Sequence, residues 1–244
     1  MKLPRLSLFQ WAVHIGSWIP LALILVDYFR DNLTANPIQD ITFRTGKTAL
    51  VLLVLSLAAT PANTLLGFKP ALKVRRALGL YAFMYVAIHF LIFVGLDYVF
   101  DWDLIKEAIL EKRYALVGFA AFLILLPLAI TSTRGWKLRL GKNWRRLHRL
   151  VYLAAILAVI HYVWLVKADI REPLSYGAGV LLLLVARLPV VRKGLSDFRQ
   201  HLLRRLRAHR SGAMIDIRPV AVGQRTHIGN QEAINKVYKH TADS

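Results

Sequence analysis

Two histidines, thirteen residues apart, lie at either end of an apolar run in the second half of the chain. The segment WRRLHRLVYLAAILAVIHYVW, residues 144–164, carries His148 near its start and His161 near its end. Ionisable residues are costly in hydrocarbon, and inside a membrane segment they usually mark a functional site. Imidazole binds metals and changes its charge near neutral pH. This spacing therefore indicates a metal site or a proton path within a membrane.

The composition is that of an integral membrane protein. Of 244 residues, 56% are hydrophobic and 19% charged, whereas soluble domains are close to half apolar and about a quarter charged. The apolar residues form six blocks, at about 8–29, 48–66, 77–96, 114–130, 147–166 and 174–191. Blocks of about 20 residues match the roughly 30 Å of a bilayer core, and such spans are helical because they must satisfy their own backbone. The sequence predicts an all-α membrane domain of six transmembrane helices over residues 1–191.

Lysine and arginine alternate between the connecting segments. The N-terminal segment and the loops before spans three and five carry these cations without any acid, whereas acids accompany them in the other loops. The cations are Lys2 and Arg5, then Lys69, Lys73, Arg75 and Arg76, then Arg134, Lys137, Arg139, Lys142, Arg145 and Arg146. Because basic loops stay in the cytoplasm, both termini are predicted to be cytoplasmic.

The last part of the chain is strongly basic. Residues 192–210 place leucines near one helical face and arginines on the other, which is typical of a helix lying on an anionic bilayer surface. Residues 211–244 are mixed and polar and are predicted to form a weakly ordered cytoplasmic tail. The net charge of +19 is therefore attributed to contact with the lipid bilayer rather than to nucleic acid, which we do not expect to bind.

Two histidines on parallel spans are predicted to lie at one depth. His89 follows Arg76 by thirteen residues and His161 follows Arg146 by fifteen, which places them about 20 and 22 Å into the membrane. The chain has no cysteine, which excludes thiolate-held clusters and c-type haem attachment. Two imidazoles facing each other at one depth suit a b-type haem. The alternative is that each histidine is structural and bonds to a backbone carbonyl or a hydroxyl.

His148 lies about 20 Å closer to the cytoplasm than His161 on a continuous helix. That level suits a second haem, with His14 or an exogenous group opposite. Thirteen residues turn a helix by about 220° net, so the two side chains would leave different faces. The matching level of span three holds Arg75 and Arg76, which suit a haem propionate or a flavin phosphate. The alternatives are an interfacial role for His148 and a structural role, which is favoured, for His14.

Several motifs together resemble known families. The run TSTRGWKLRLGKNWRRLHRLVYLAAILAVIHYVW, residues 131–164, resembles the ferric-reductase-like transmembrane domain. More narrowly, TGKTAL at 45–50, RRALGL at 75–80 followed by His89, and LGKNWRRLH at 140–148 are similar to the MsrQ (YedZ-like) family. These are the haem-binding membrane subunits of a periplasmic protein-methionine-sulfoxide reductase system. The resemblance covers about residues 11–191.

The resemblance implies a ferric-reductase-like haem-binding bundle that carries electrons in a bacterial inner membrane. Its cofactors would be haem b and FMN, and its donor the quinone pool or a cytoplasmic flavin reductase. Electrons would pass to a periplasmic molybdopterin-containing subunit that reduces methionine sulfoxide, so this chain is not itself catalytic. The implied haem ligands are His89, His148 and His161. One or two haems are implied, because larger members of the superfamily have a second histidine on span three where this chain has arginine.

The basic loops offer seats for anionic groups, and the third loop offers a charged outer surface. Arg75, Arg76, Arg145 and Arg146 are candidate partners of an FMN phosphate or a haem propionate, with lipid-facing topology charges as the alternative. Five acids are predicted to dock the periplasmic partner by complementary charge: Asp97, Asp101, Asp103, Glu107 and Glu111.

Two other functions remain open. A stand-alone ferric or cupric reductase component would use the same scaffold, and a haem-free transporter would use the histidines to relay protons. We identify no internal repeat of the kind that many transporters show. The chain also has no G-x-G-x-x-G motif, and about 50 residues follow the last span, so we expect no nicotinamide-binding domain.

Overall fold

The computed structural model describes residues 7–166, 169–191, 193–194, 197 and 200, and every regular element among them is helical. Most of the predicted surface helix 192–210 and all of the tail 211–244 lie outside the described residues. The helices are α1 (Leu8–Phe29), α2 (Pro37–Leu66), α3 (Lys69–Ile92), α4 (Trp102–Glu111), α5 (Arg113–Ile130), α6 (Arg134–Leu140), α7 (Lys142–Leu147), α8 (Leu150–Leu165) and α9 (Arg171–Val185). A π-helical turn, Phe93–Asp97, continues α3.

Five stretches of the described chain are long and apolar enough to cross a membrane. They are Leu8–Phe29, Pro37–Leu66, Lys69–Asp97, Arg113–Ile130 and Lys142–Leu165. The prediction of an all-helical, multi-pass membrane domain is thus confirmed. The sixth predicted span, 174–191, coincides only partly with α9, which has 15 residues and is about 22 Å long. Pro189 lacks a backbone N–H and follows soon after the end of α9, and the sixth crossing stays a prediction.

The second span begins earlier than the hydropathy pattern predicts. Asn36 caps α2 by accepting a hydrogen bond from Gln39, and Pro37 occupies the first turn, where its missing N–H costs nothing. The basic residue Arg44, predicted in a loop, therefore lies within the helix. Its guanidinium is compensated by Asp27 at 2.5 Å and Asp40 at 2.9 Å. The hydropathy pattern missed the first turns of α2, because a charged residue lowers the local hydropathy whether its charge is paired or solvated.

The first hairpin, α2 with α3, forms the centre of the core. The helices turn at Gly67, whose φ of 69° is left-handed and suits glycine. Leu53 and Leu57 on α2 and Val74 on α3 are each at most 3% exposed. The second hairpin, α5 with α8, packs against the same cluster through Leu125 and Ala154, so both hairpins share one apolar core.

The second hairpin is not built from two uninterrupted helices. Between α5 and α8 the chain forms the short helices α6 and α7, and His148 with Arg149 forms a turn before α8 begins at Leu150. The prediction of one continuous helix over 147–166 was therefore wrong at its start. The inferred rotation of about 220° between His148 and His161 assumed regular helix throughout, which the turn at His148 and Arg149 interrupts.

Polar contacts attach α9 to the hairpins. Arg187 follows α9 and donates to the Tyr152 hydroxyl of α8 at 2.6 Å and to the Leu57 carbonyl of α2 at 2.5 Å. At the opposite end of α9, Glu172 forms an ion pair with Lys47 of α2. Both ends of α9 are thereby fixed against α2.

Tyr85 of α3 bonds to backbone groups of α1 beside an internal proline. Pro20 lies inside that helix, and beside it the Tyr85 hydroxyl accepts from the Leu21 N–H at 3.1 Å and donates to the Ser17 carbonyl at 2.8 Å. The Tyr85 side chain is 0% exposed. Its hydroxyl provides hydrogen bonds to a backbone N–H and a carbonyl for which a hydrocarbon environment supplies no water. The same bonds connect α1 to α3.

We therefore expect Tyr85→Phe to destabilise the protein by about 1–3 kcal/mol, the usual cost of leaving buried polar groups unsatisfied. The measurement is thermal unfolding in detergent, followed by the helical circular dichroism signal. Tyr28→Phe is the matched control, because Tyr28 is on α1 and is 57% exposed. Equal midpoints for the two variants would show that the Tyr85 hydroxyl does not stabilise α1.

Candidate functional site

His89 of α3 and His161 of α8 face each other inside the helical bundle. Their ring centroids are 6.2 Å apart and their ring planes are nearly perpendicular, at 86°. Both side chains are half-buried. The two histidines that the sequence places at one depth are thus direct neighbours, one from each hairpin.

A backbone carbonyl fixes each of these rings from behind. His89 Nδ1 lies 2.9 Å from the Thr42 carbonyl oxygen of α2, and His161 Nδ1 lies 2.7 Å from the Tyr114 carbonyl oxygen of α5. A carbonyl can only accept, so each Nδ1 carries the proton and donates it. The neutral ring then keeps its acceptor lone pair on Nε2, the nitrogen that can bind a metal.

The spacing of the rings fits one metal between them. A metal bonded to both Nε2 atoms at about 2.0–2.1 Å would place the ring centres roughly 6 Å apart, close to the 6.2 Å found. No cluster of three or more metal-binding side chains occurs among the described residues. Two imidazoles alone hold a bare ion poorly, whereas haem would bring the further nitrogen ligands that an iron needs. The donor set therefore fits haem.

Three phenylalanine side chains, close in the chain to the histidine site, form an apolar wall. Phe90, Phe119 and Phe122 stack on one another with centroid distances between 4.6 and 6.4 Å. Phe90 directly follows His89 in the chain. Phe119 lies on α5, the helix whose Tyr114 carbonyl bonds to His161. A wall of this kind adds apolar surface to this part of the bundle and so lowers the local dielectric constant.

His148 and His14 are held elsewhere and by different partners. The His148 ring stacks on Trp144 at 4.0 Å, and its Nε2 lies 3.2 Å from the Thr131 hydroxyl. Trp144 in turn donates to the Thr131 carbonyl at 2.9 Å. His14 Nδ1 lies 2.9 Å from the Tyr81 hydroxyl. Among the ring contacts of the described residues, only His89 and His161 form a pair of histidines.

The four candidate arginines separate into two groups. Arg75 donates to the Thr60 hydroxyl at 3.1 Å, and Arg76 beside it is exposed. On α7, the exposed Arg145 and Arg146 line a cavity of about 430 Å3, which two further cations complete: Lys142 and Arg149. Since α7 ends one residue before His148, this basic cavity lies next to that histidine along the chain.

The two hairpins repeat each other at a fixed offset. Each histidine bonds to a carbonyl 47 residues earlier in the chain, and the sequences around them are VAIHF at 86–90 and AVIHY at 158–162. Gly46 stands 43 residues before His89, and Gly118 stands 43 residues before His161. Every one of these positions recurs after 72 residues, a relation between the two hairpins that the sequence analysis did not identify.

The repeat also relates an arginine of α3 to a histidine of the second hairpin. At an offset of 72, Arg76 corresponds to His148. The level that carries a histidine in one hairpin thus carries an arginine in the other. Sequence reasoning missed Gly46 and Gly118, although the repeated glycine-to-histidine spacing was a signal that could have revealed them.

The predicted docking acids surround a short helix that the sequence analysis did not anticipate. All five are exposed. Asp101 caps α4 by accepting from the backbone of Asp103 and Leu104, while the apolar face of α4 buries Ile105 and Ala108. Three of the acids, Asp103, Glu107 and Glu111, recur every fourth residue and so share the opposite face of the helix.

A model of the family "Ferric reductase like transmembrane component" matches residues 45–159. A "Protein-methionine-sulfoxide reductase heme-binding subunit MsrQ" from Rhodospirillum rubrum is 49% identical over 185 residues, which are 75% of this chain and 88% of the relative. A protein of the same name from Xanthomonas axonopodis pv. citri is 47% identical over 179 residues, covering 71% and 82%. No solved structure matches. Identity of this extent over most of both chains shows that the protein belongs to the MsrQ family of heme-binding subunits.

Proposed function

We propose that the protein is a membrane electron-transfer subunit that holds a b-type haem between His89 and His161. The observation that carries this proposal is the pair of rings at 6.2 Å, each with its Nδ1 bonded to a carbonyl. Bound there, haem would supply one-electron redox chemistry. The chain's own residues bind and orient: the carbonyls of Thr42 and Tyr114 fix the imidazoles, and the phenylalanine wall lowers the local dielectric constant. The relatives are named heme-binding subunits of a methionine-sulfoxide reductase.

The direction of transfer follows from the proposed topology. Six spans with both termini in the cytoplasm of a bacterial inner membrane place the end of α3 and the start of α5 on the periplasmic side. His89 is close to that side, so it can serve a periplasmic molybdopterin-containing reductase that repairs oxidised methionine. The chain supplies electrons in this scheme and does not itself act on the substrate.

Two features support the donors inferred from the family. A groove of about 580 Å3 between α1 and α2 has apolar walls and holds Arg44 and Lys47 at one end. This combination suits the tail and carbonyl oxygens of a quinone. The basic cavity of Lys142, Arg145, Arg146 and Arg149 suits the phosphate of FMN, which a cytoplasmic flavin reductase could keep reduced.

We also propose His148 as the chain's own ligand for a second haem at the cytoplasmic level. Its ring is already oriented by Trp144 and Thr131. Because the repeat places Arg76 at the corresponding position, a second residue to hold this haem would come from elsewhere, and His14 is the remaining histidine within a predicted span. Arg75 and Arg76 are then suited to the propionates of that haem.

The ligands can be tested by spectroscopy of the purified protein. We expect a low-spin b-type α-band in the reduced-minus-oxidised spectrum, with haem quantified as pyridine haemochrome. His89→Ala and His161→Ala should each remove the same haem, and His148→Ala should remove a second one if two are present per chain. The histidine control is His227→Ala in the tail. A folded wild type that carries no haem under haem-replete expression would contradict the proposal and favour the proton-relay transporter.

The topology can be tested by cysteine labelling, because the chain has no cysteine of its own. With a membrane-impermeant maleimide on intact spheroplasts, Glu107→Cys should react at once. Arg139→Cys and Ser244→Cys should react only after the membrane is permeabilised. Labelling of Ser244→Cys in intact spheroplasts would show that α9 and the residues after it do not make the sixth crossing.

The acidic face of α4 can be tested by changing its charge. Asp103, Glu107 and Glu111 together replaced by lysine should slow reduction of the partner reductase by about tenfold at low salt, since steering of this kind changes association rates by 10–10³. Asp101 is left unchanged because it caps the helix. Replacement of the same three acids by asparagine and glutamine should give an intermediate rate. Equal rates and equal salt dependence in all three proteins would rule out docking through α4.

A further inference from the structure

We propose that Gly46 and Gly118 are the positioning residues of the histidine pair. Each glycine omits the side chain that would stand between an imidazole and the helix carbonyl to which it bonds. This inference rests on the proposed haem ligation by His89 and His161. It adds two residues that act by allowing each ring to approach the backbone of a neighbouring helix.

The space is too small for any other residue at Gly118. A Cβ atom built there would lie 2.6 Å from His161 Nδ1 and 2.8 Å from its Cε1. Separations this short are repulsive, so either the ring or the helix would have to move. At Gly46 the corresponding Cβ would lie 3.1 Å from both Nδ1 and Cε1 of His89, a tighter contact than normal that a shift of a few tenths of an ångström would relieve.

Helix geometry explains why the glycine stands four residues after the carbonyl. In an α-helix the carbonyl of residue i accepts the N–H of residue i+4, so the Thr42 carbonyl points toward Gly46 and the Tyr114 carbonyl toward Gly118. A carbonyl has a second lone pair, and the imidazole N–H uses it. To reach it, the ring must lie over the residue at i+4, where a side chain would otherwise stand.

The recurrence of glycine in both hairpins argues that its presence opposite the histidine is not a coincidence. Between the two hairpins the residue that supplies the carbonyl changes from threonine to tyrosine, whereas the glycine four residues later is kept. The carbonyl comes from the backbone and is available from any residue type. Only the missing side chain depends on the sequence, and it is the part that recurs at 72 residues together with the histidine.

Other glycines of the bundle do not share this environment. A Cβ at Gly79, on the same helix as His89, would lie 3.4 Å from the Ser56 hydroxyl, an ordinary contact. At Gly16 of α1 it would meet nothing within 4 Å. These two glycines meet no imidazole and have ordinary room for a Cβ atom, so they supply matched controls.

The consequence for the iron is electronic as well as steric. An imidazole whose Nδ1–H is donated to a carbonyl is a stronger electron donor through Nε2. Stronger donation stabilises the ferric state, so it lowers the reduction potential. Weakening the bond to Tyr114 or Thr42 should therefore raise the potential and weaken haem binding.

The experiment compares Gly118→Ala, Gly46→Ala, Gly79→Ala and Gly16→Ala in the purified full-length protein. Haem content and the reduction midpoint are measured for each. We expect Gly118→Ala to bind haem about 10–100-fold more weakly, the usual cost of losing such a partner of a metal ligand, or to retain it with a raised midpoint. Gly46→Ala should shift in the same direction by less, and the two controls should match wild type.

His161→Ala, measured alongside, separates the two proposals. If His161→Ala keeps its haem, the ligand assignment is wrong and this inference falls with it. If His161→Ala loses haem while Gly118→Ala keeps wild-type content and midpoint, only the positioning role is overturned. Should Gly118→Ala fail to fold, Gly46→Ala decides: a raised midpoint supports the inference, and an unchanged one contradicts it. Controls that shift as much as the two test variants would also overturn it.

Discussion

The hydrogen bond from an imidazole N–H to a helix carbonyl is the interaction on which this molecule is organised. In hydrocarbon a polar group without a partner is costly, and water is not there to supply one. His89 and His161 meet this constraint by bonding across a hairpin to the backbone of the neighbouring helix. Each hairpin therefore fixes one ring, and the packing of the two hairpins on a shared core fixes the distance between the rings. The contacts between α2 and α3 and between α5 and α8 therefore stabilise the fold and also position the two histidines.

The two hairpins agree at the level of His89 and His161 and differ at the level of Arg76 and His148. At the first level both supply a histidine, a carbonyl and a glycine in the same relative positions. At the second level α3 runs unbroken past Arg75 and Arg76, whereas the corresponding part of the second hairpin is divided into α6, α7 and a turn at His148. The histidine at that turn stacks on Trp144. The first level therefore holds a pair of histidines, and the second holds a single histidine close in the chain to several cations.

The sequence was sufficient for the features that depend on composition and helix rise. The approximate positions of five spans, the shared level of His89 and His161, and the family motifs could be predicted from the sequence alone. It was not sufficient where charges were paired, since Arg44 looked like a loop residue until Asp27 and Asp40 were seen beside it. Nor did it reveal the turn at His148, because periodicity alone does not mark a break in an apolar run. The role of Gly46 and Gly118 depends on a missing side chain and a nearby backbone oxygen, and no residue type in the sequence marks that combination. The recurrence of both glycines at an offset of 72 residues is the one signal that the sequence carries.

The most direct test of the central claim is the electron paramagnetic resonance spectrum of the oxidised protein at low temperature. Two imidazoles at 86° interact with different d orbitals of one iron and leave them close in energy, which produces a strongly anisotropic low-spin signal. The account predicts that signal in the wild type and its loss in both His89→Ala and His161→Ala. A signal typical of parallel rings, or one that survives either substitution, would contradict ligation of a single iron by this pair.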